Sequence, residues 1–319
     1  MNKIRFIAHA AKRLLDNKAL YAQLLVTRGC NLSCAYCNEY TPGAPHVPLP
    51  ELMQRIDKLD ALGVLVYDIL GGEPLMHSDL AALIAHIKVK RNGNNLLTLI
   101  SNGFLLTKDI IHALNNAGLD MLQLSVDSVS PGAQSMKSLK SLLPKLHLLK
   151  QHARFTVKVQ TVLTGETADE YDKFREILAD FPFAFSFSFL HRAGGQIAIS
   201  GQEYVDLFDR HQLWGGMRLY RQDARALLQG DFSRPWKCLG GSKFLYVNVN
   251  GHIQWCSQQK GDDIPLAQAS TADLYAAHKH KPCEKGCALG CARLISHALG
   301  QPLKTLSTSL SVLKIIPDR

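Results

Sequence analysis

Short apolar runs alternate with longer helix-like segments through the middle of the chain, and this alternation predicts the fold. Six runs read as strands: Ala22–Val26, Val64–Leu70, Leu96–Ile100, Met121–Val126, Phe155–Leu163 and Ala184–Leu190. The segments between them read as helices: Pro50–Leu62, Asp79–Lys90, Lys108–Ala117, Met136–Gln151 and Ala168–Ala179. Thr107 and Ser135 suit N-caps, and Gly63 and Gly118 suit helix stops. A repeated strand–helix unit implies a parallel sheet covered by helices. Six strands fit an α/β fold of the open kind, a partial (β/α)6 TIM-like barrel. A second pattern follows downstream. Phe244–Val249 and His252–Cys256 flank Asn250-Gly251, the strongest short hairpin signal. A two-residue turn pairs Val249 with His252 and Leu245 with Cys256. That places Cys256 at the open end of the hairpin, where Cys238 also enters.

Composition narrows the class. The chain has 319 residues, 46% hydrophobic and 20% charged, with a formal net charge of +9. This is ordinary globular composition with room for one large unit and a smaller one. No apolar run reaches the length of a membrane span, about 20 residues. The first residues, MNKIRFIAHAAKRLL, lack a secretory cleavage pattern. The basic balance suits an acidic peptide or anionic lipid. No Lys/Arg run exceeds two residues, and no aromatic–basic interleaving occurs, which argues against nucleic acid. Residues 1–19 read as a basic amphipathic helical leader with Ile4, Ile7, Ala8, Ala11, Leu14 and Leu15 at helical spacing. Docking on the domain is the commoner use of such a helix; an interfacial role on lipid is the alternative. The tail, 298–319, is apolar between Leu303 and Ile316. Both ends leave room for peripheral membrane contact.

The chemistry lies in the cysteines. Cys30, Cys34 and Cys37 follow the first strand at C-x3-C-x2-C spacing. Three thiolates can hold three corners of a cubane cluster and leave one iron open for a ligand. A structural zinc needs four ligands, and the nearest further candidate is His46, in a Pro-rich loop. Gly71-Gly72-Glu73-Pro74 ends the second strand; the glycines admit a ligand close to the backbone, and Glu73 offers a carboxylate to an ammonium. Ser101-Asn102-Gly103 follow the third strand and Ser125 to Ser128 close the fourth. Gln160 and Thr161 lie late in the fifth, and His191 and Arg192 follow the sixth. In such sheets the reactive groups gather at these C-terminal strand ends. Five more cysteines follow: Cys238, Cys256, Cys283, Cys287 and Cys291. Eight in all is an even number, but their crowding suits metal centres in a reducing cytoplasm better than disulfides.

Together the triad, Tyr36 before its last cysteine and Gly71–Pro74 resemble the radical S-adenosylmethionine (radical SAM) superfamily. The downstream group, C-x12-G-x4-C and then a cysteine cluster, resembles the auxiliary-cluster SPASM or twitch extensions, though a full SPASM pattern has seven cysteines. The resemblance implies a [4Fe–4S] cluster on Cys30, Cys34 and Cys37 that binds SAM and cleaves it. It implies that Gly71, Gly72, Glu73 and Pro74 hold the SAM amino group and that Tyr36 lies near the adenine. Ser125 and Asp127 suit the ribose hydroxyls, with Asn102 a weaker candidate. The expected reaction is cleavage of SAM to a 5′-deoxyadenosyl radical that takes hydrogen from a small-molecule, lipid or peptide substrate. An electron donor such as flavodoxin or ferredoxin is implied. A peptide-modifying maturase and a non-catalytic electron-transfer protein are the alternatives. Two auxiliary clusters would need eight thiolates, so the five downstream cysteines imply one auxiliary iron–sulfur cluster of [4Fe–4S] type, rather than zinc. If four bind it, one is spare, either buried, an alternative ligand, or a hydrogen-atom donor. The expected organisation is a leader (1–19), the barrel (20–195), a bridging helical segment with Trp214 and Tyr220 (196–235), a small hairpin-containing iron–sulfur domain (236–297) and the tail (298–319).

Overall fold

The computed structural model describes residues 3–132, 135–165, 167–211 and 218–300. Trp214 and the apolar stretch Leu303–Ile316 lie outside the described residues. Helix α1 (Lys3–Lys12) precedes β1 (Tyr21–Leu25), and the alternation then runs as α2 (Leu49–Ala61), β2 (Val66–Leu70), α3 (Leu80–Val89) and β3 (Leu96–Ser101). It continues through α4 (Lys108–Ala117), β4 (Met121–Ser125), α5 (Leu139–His152), β5 (Thr156–Leu163), α6 (Tyr171–Leu178) and β6 (Ala184–Phe189). The bridging segment holds α7 (Gln202–Arg210) and α8 (Arg218–Leu228). The C-terminal part adds β7 (Phe244–Val247), β8 (His252–Gln254), β9 (Ile264–Pro265), α9 (Thr271–Ala276) and α10 (Gly290–Gly300). No helix among the described residues is long and apolar enough to cross a membrane.

The strands form one sheet in the order β6-β5-β4-β3-β2-β1-β7-β8-β9. The pairs from β6 across to β7 are parallel, and β8 and β9 run antiparallel. All six expected strands are present. The added feature is β7, which pairs in parallel with β1, so the C-terminal hairpin continues the barrel sheet.

The two faces of this sheet differ in chemistry. Ala22, Leu24, Tyr67, Ile69, Leu97, Leu99, Leu122 and Leu124 point outward and share a core with Ile56 of α2, Leu83 of α3, Leu114 of α4 and Leu146 of α5. Each fully buried aliphatic side chain there contributes about 1.5–3 kcal/mol. The alternate positions, which include Gln23, Asp68, Thr98, Gln123, Ser125, Lys158, Gln160 and Ser186, face the concave side. These polar side chains share the inner face with an apolar cluster around Tyr21, Leu25 and Phe244.

Local signals held unevenly. Thr107 caps α4 by accepting from the Ile110 amide (3.2 Å), and Gly118 ends it with φ +88°. Ser135 does not cap α5. Ser138 does, accepting from the Ser141 amide at 3.2 Å. The hairpin register also differs by one residue. Tyr246 pairs with Gln254 and Val247 with Ile253, which sets Cys256 against Phe244 instead of Leu245. The cause is Asn248: its Oδ1 accepts from the Asn250 and His252 amides (2.9 and 3.1 Å) and widens the loop, with Gly251 at φ +77°.

Candidate functional site

The cysteine loop grows out of β1, and hydrogen bonds tie it to the loop after β2. Val26 N donates to Leu70 O (3.0 Å), Gly72 N to Thr27 O (2.9 Å) and Glu73 N to Gly29 O (2.9 Å). The parallel ladder thus runs past both strands. This contact explains the two glycines. A Cβ on Gly72 would stand 2.1 Å from Gly29 O, and one on Gly71, at φ +152°, 2.3 Å from Thr27 O. The cysteine loop's own backbone thus gives a packing reason for both glycines, beside the expected approach of a ligand. Glu73 also turns inward. Its carboxylate is fully buried and accepts from Ser101 Oγ (2.8 Å), Asn102 N (2.7 Å) and Leu75 N (2.9 Å). Burial raises its pKa above the usual carboxylate range, against these three donors. Glu73 therefore fastens the ends of β2 and β3 together instead of facing open space, and Pro74 opens the turn behind it.

The cysteines carry polar neighbours that the sequence did not disclose. Cys30 Sγ accepts from the Leu32 amide at 3.4 Å, and Asn102 Nδ2 lies 3.6 Å from it while donating to Asn31 Oδ1 at 2.8 Å. Ser135 Oγ lies 3.5 Å from Cys34 Sγ. Cys37 is exposed, and its amide bonds Cys34 O at 3.0 Å. Burial raises the Cys30 pKa, so its thiol needs a metal to hold it as thiolate at neutral pH.

Tyr36, Asp127 and Lys137 form a buried triad beside this loop. The Tyr36 hydroxyl donates to Asp127 Oδ2 at 2.5 Å, and Lys137 Nζ lies 2.5 Å from the hydroxyl and 3.1 Å from Asp127 Oδ2. The ammonium also stands 5.0 Å from the centre of the Tyr36 ring. Burial disfavours the Lys137 charge, but Asp127 and then Tyr36 outweigh it and raise its pKa. Burial likewise raises the pKa of Tyr36. Asp127 Oδ1 is buried with no hydrogen-bond partner among the described residues, so this acceptor is open to a ligand donor such as a ribose hydroxyl. Ser125 sits one step away at the end of β4, on the lumen face. Sequence reasoning missed Lys137 and Ser135; both stand in the loop before α5, which carries no motif.

The downstream cysteines divide. Cys238, Cys256, Cys283 and Cys287 line one small void together with Trp236, Trp255 and Lys281. Glu284 braces it: Oε1 accepts from the Cys238 amide (2.8 Å), and Trp236 Nε1 donates to Glu284 O (2.9 Å). Lys281 Nζ bonds Cys238 O at 3.0 Å. Burial pushes the Cys256 thiol up to about 11 and Cys287 to about 12. Arg293 bonds both Asp223 and Cys287 O, the latter at 2.8 Å, which anchors α10 to α8. Cys291, in the first turn of α10, does not line this void; it packs against the cluster that holds Tyr21, Leu25 and Phe244 together with Cys256 and Cys287. No three His, Cys, Asp or Glu side chains among the described residues converge on a single-ion site. Four thiols lining one void suit an iron–sulfur cluster held by four cysteines.

A polar cleft of about 500 Å³ is lined by Arg28, Asn38 and Glu39 from the first cysteine loop and by Tyr246, His252 and Gln258 from the C-terminal hairpin. It is bridged by Asn38 Nδ2 to Ser257 O at 3.1 Å and by Tyr246 to Glu39. His191 and Arg192 follow β6, where Arg192 N bonds Gln196 O at 2.8 Å in a loop that reaches the second cysteine group through a Gln196–Cys287 bridge.

The radical SAM superfamily model matches residues 24–178, the span from β1 to α6. A GTP 3′,8-cyclase of Lactiplantibacillus plantarum is 30% identical over 204 residues, 59% of each chain. A PqqA peptide cyclase of Gluconobacter oxydans is 28% identical over 261 residues, 75% of this chain and 69% of that protein. The chain thus spans 59% of the length of the GTP 3′,8-cyclase. In fold it is similar to Streptococcus suis SuiB bound to S-adenosylmethionine, with a TM-score of 0.61 at 14% identity over 87% of this chain and 68% of that one. It is also similar to anSMEcpe with bound AdoMet, with a TM-score of 0.60 at 16% identity over 93% and 100%. The family match begins in β1, before the cysteine triad, and covers the Gly-Gly-Glu-Pro turn, Tyr36 and Asp127: residues 24–178 of this chain match the radical SAM superfamily.

Proposed function

We propose that the chain is an enzyme that cleaves S-adenosylmethionine reductively and turns the resulting radical on a substrate in the barrel lumen. One observation carries this reading: the Cys30–Cys37 loop, the Gly71–Pro74 turn and the orphaned Asp127 Oδ1 converge at one rim of a polar lumen. Cys30, Cys34 and Cys37 would hold a [4Fe–4S] cluster, which when bound supplies the electron that breaks a carbon–sulfur bond of SAM. The residues fit SAM as follows. The backbone carbonyls of the Gly71–Gly72 turn serve the amino group, since Glu73 is already spent on three donors. Asp127 Oδ1 accepts from a ribose hydroxyl, while Lys137 and Tyr36 hold its other oxygen, Oδ2, in place. Tyr36 fixes the loop against Asp127 and offers its ring edge to the adenine. Cys238, Cys256, Cys283 and Cys287 would hold the auxiliary cluster.

The substrate is a polar small molecule or a peptide segment that reaches the lumen; similarity to a peptide cyclase keeps the peptide reading in place. The electron donor belongs to the flavodoxin or ferredoxin class. The leader contacts the sheet through Phe6 but leaves Ile4, Ile7, Leu14 and Leu15 exposed. Peripheral contact with anionic lipid would use these residues, and co-sedimentation with anionic vesicles tests it. The deciding experiment for the activity is an anaerobic assay of the reconstituted, reduced protein with SAM. Release of 5′-deoxyadenosine, lost in Cys30→Ala, Cys34→Ala and Cys37→Ala, supports the enzyme. No 5′-deoxyadenosine from protein with intact iron would leave the electron-transfer alternative standing instead.

A further inference from the structure

One outer face of the fold carries charge that neither SAM nor the cysteine groups use. From Ser128 to Gly165 the sequence holds no Asp or Glu, while it carries Lys137, Lys140, Lys145, Lys150, Arg154 and Lys158. These cations make up much of the net charge of +9. Lys137 is held by Asp127, Lys158 bonds Gln123, and Lys145 bonds Leu106 O at 2.7 Å. The other three come out on one surface. Leu139, Leu142, Leu146 and Leu149 turn the apolar face of α5 inward. The outward stripe is Lys140, Leu143, His147 and Lys150, all exposed, at intervals of three and four residues. Arg154, also exposed, continues it just past the helix end. At about 1.5 Å per residue, Lys140 to Lys150 spans about 15 Å.

Position and make-up say what this stripe fits. Lys140, Lys150 and Arg154 form no ion pair among the described residues; Lys150 Nζ meets only a carbonyl, that of Asp180, at 2.9 Å. On the α4 side, the His112 ring lies 5.5 Å from that of His152, and Lys108 is exposed one turn before it. Asp109 on α4 and Asp180 after α6 are the flanking acids. The stripe starts at the first cysteine group. Ser135 Oγ lies 3.5 Å from Cys34 Sγ, Met136 follows it exposed, and Lys140 stands in the first turn of α5. Two exposed apolar side chains, Met136 and Leu143, sit among the cations. A convex helix face cannot enclose a small molecule, and two such side chains are too little to anchor in a bilayer. An apolar centre with a charged rim is the make-up of a protein interface, and electron-transfer encounters use the smallest ones.

We propose that the α5 face is the docking surface for the one-electron carrier, a small protein whose redox group is ringed by carboxylates. The inference rests on the activity proposed above for its need of an electron, and deepens it by giving the partner a place. One electron leaves the carrier, which is oxidised, and reduces by one the cluster that Cys30, Cys34 and Cys37 hold; no bond forms or breaks and no proton is transferred. The end of the stripe at Met136 and Lys140 receives the carrier's redox edge beside Cys34, and Lys150 and Arg154 take its acidic flank. Opposite charge steers the encounter, so it sets the association rate, and salt weakens it.

Anaerobic stopped-flow mixing of reduced flavodoxin or reduced ferredoxin with the oxidised, cluster-loaded protein tests this without SAM, as loss of iron–sulfur absorbance. The face variant carries Lys140→Glu, Lys150→Glu and Arg154→Glu. A control carries Lys12→Glu, Lys260→Glu and Lys285→Glu, the same change of charge at exposed residues elsewhere. At low salt the second-order rate of the face variant falls on the order of 10-fold or more below wild type, and the control stays within about 3-fold. Added salt slows the wild type and leaves the face variant nearly unchanged. Lys140→Gln with Lys150→Gln and Arg154→Gln gives a rate in between. Photoreduced deazaflavin, a small uncharged donor, reduces every protein at one rate, which shows the clusters intact. Equal carrier rates in wild type and face variant overturn the inference. So does a control slowed as much as the face variant, since whole-chain charge then does the steering. Failure of both carriers to reduce the wild type where deazaflavin succeeds overturns it too. If the three changes abolish binding to anionic vesicles and leave the carrier rate alone, the face is a lipid surface instead. The enzyme reading fails separately, if the reduced protein forms no 5′-deoxyadenosine from SAM.

Discussion

Replacing Gly72 by Ala tests the contact on which the whole rim depends. The new Cβ would lie 2.1 Å from Gly29 O, 2.5 Å from Gly29 C and 2.8 Å from Arg28 O. All three are backbone atoms, so no side chain can swing away. The cysteine loop and the Gly71–Pro74 turn must separate by about 1 Å or more to reach ordinary contact. That movement breaks the Gly72 N–Thr27 O and Glu73 N–Gly29 O bonds, both 2.9 Å. At about 1 kcal/mol for each, with their amides left half-satisfied, the expected loss is about 2–4 kcal/mol. Denaturant unfolding of the anaerobic holoprotein reads the stability. Iron retained on the first cysteine group after gel filtration reads the loop geometry. Gly132→Ala is the control: a Cβ there meets nothing within 4 Å, and its effect is expected within about 0.5 kcal/mol. A Gly72→Ala protein with wild-type midpoint and wild-type iron would refute the argument that backbone crowding demands this glycine.

Other outcomes follow from the same geometry. Lys137→Met leaves Asp127 buried without its cation and is expected to cost about 3–5 kcal/mol; Lys137→Met with Asp127→Asn costs less than the sum of the single changes, which a double-mutant cycle reads. Asn102→Leu removes the amide near Cys30 Sγ and lowers the reduction potential of the cluster held there while retaining its iron, as a redox titration shows. Burial raises the folded pKa of Asp68, so the folded state holds this proton more tightly than the unfolded state. Its contribution to stability is therefore full in acid and lost as pH rises from the ordinary carboxylate range through the folded pKa, and Asp68→Asn flattens that part of the stability–pH curve.

Much of the fold was legible because it is local. The outer face of the sheet must meet helices, so strands such as Met121–Ser125 announce themselves as apolar runs, and α4 is marked at both ends by Thr107 and Gly118. The parallel pairing of β7 with β1 was not legible, since nothing in Phe244–Val247 names a distant partner. The hairpin register slipped because one side chain, Asn248, competes for two amides in the turn. At the site, the three N-terminal cysteines and the Gly-Gly-Glu-Pro turn were readable as a pattern. Their reasons were not, because what lies beside a glycine or saturates a carboxylate is decided by another loop: Gly29 for Gly72, Ser101 and Asn102 for Glu73. The separation of Cys291 from the other four thiols needed the placement of α10, for even spacing in sequence gave no hint of it.

The pairing of β1 with β7 also sets an order of events during synthesis. Tyr21 meets Phe244, so the edge of β1 stays open until more than two hundred further residues have left the ribosome. Through that interval the loop of Cys30, Cys34 and Cys37 is already formed beside an unpaired strand, while the second cysteine group is unmade. Iron delivery to the nascent chain therefore meets one thiol group before the other exists. Pairing of β7 with β1 then brings the hairpin that ends in Cys256 onto the sheet from which the first loop grows.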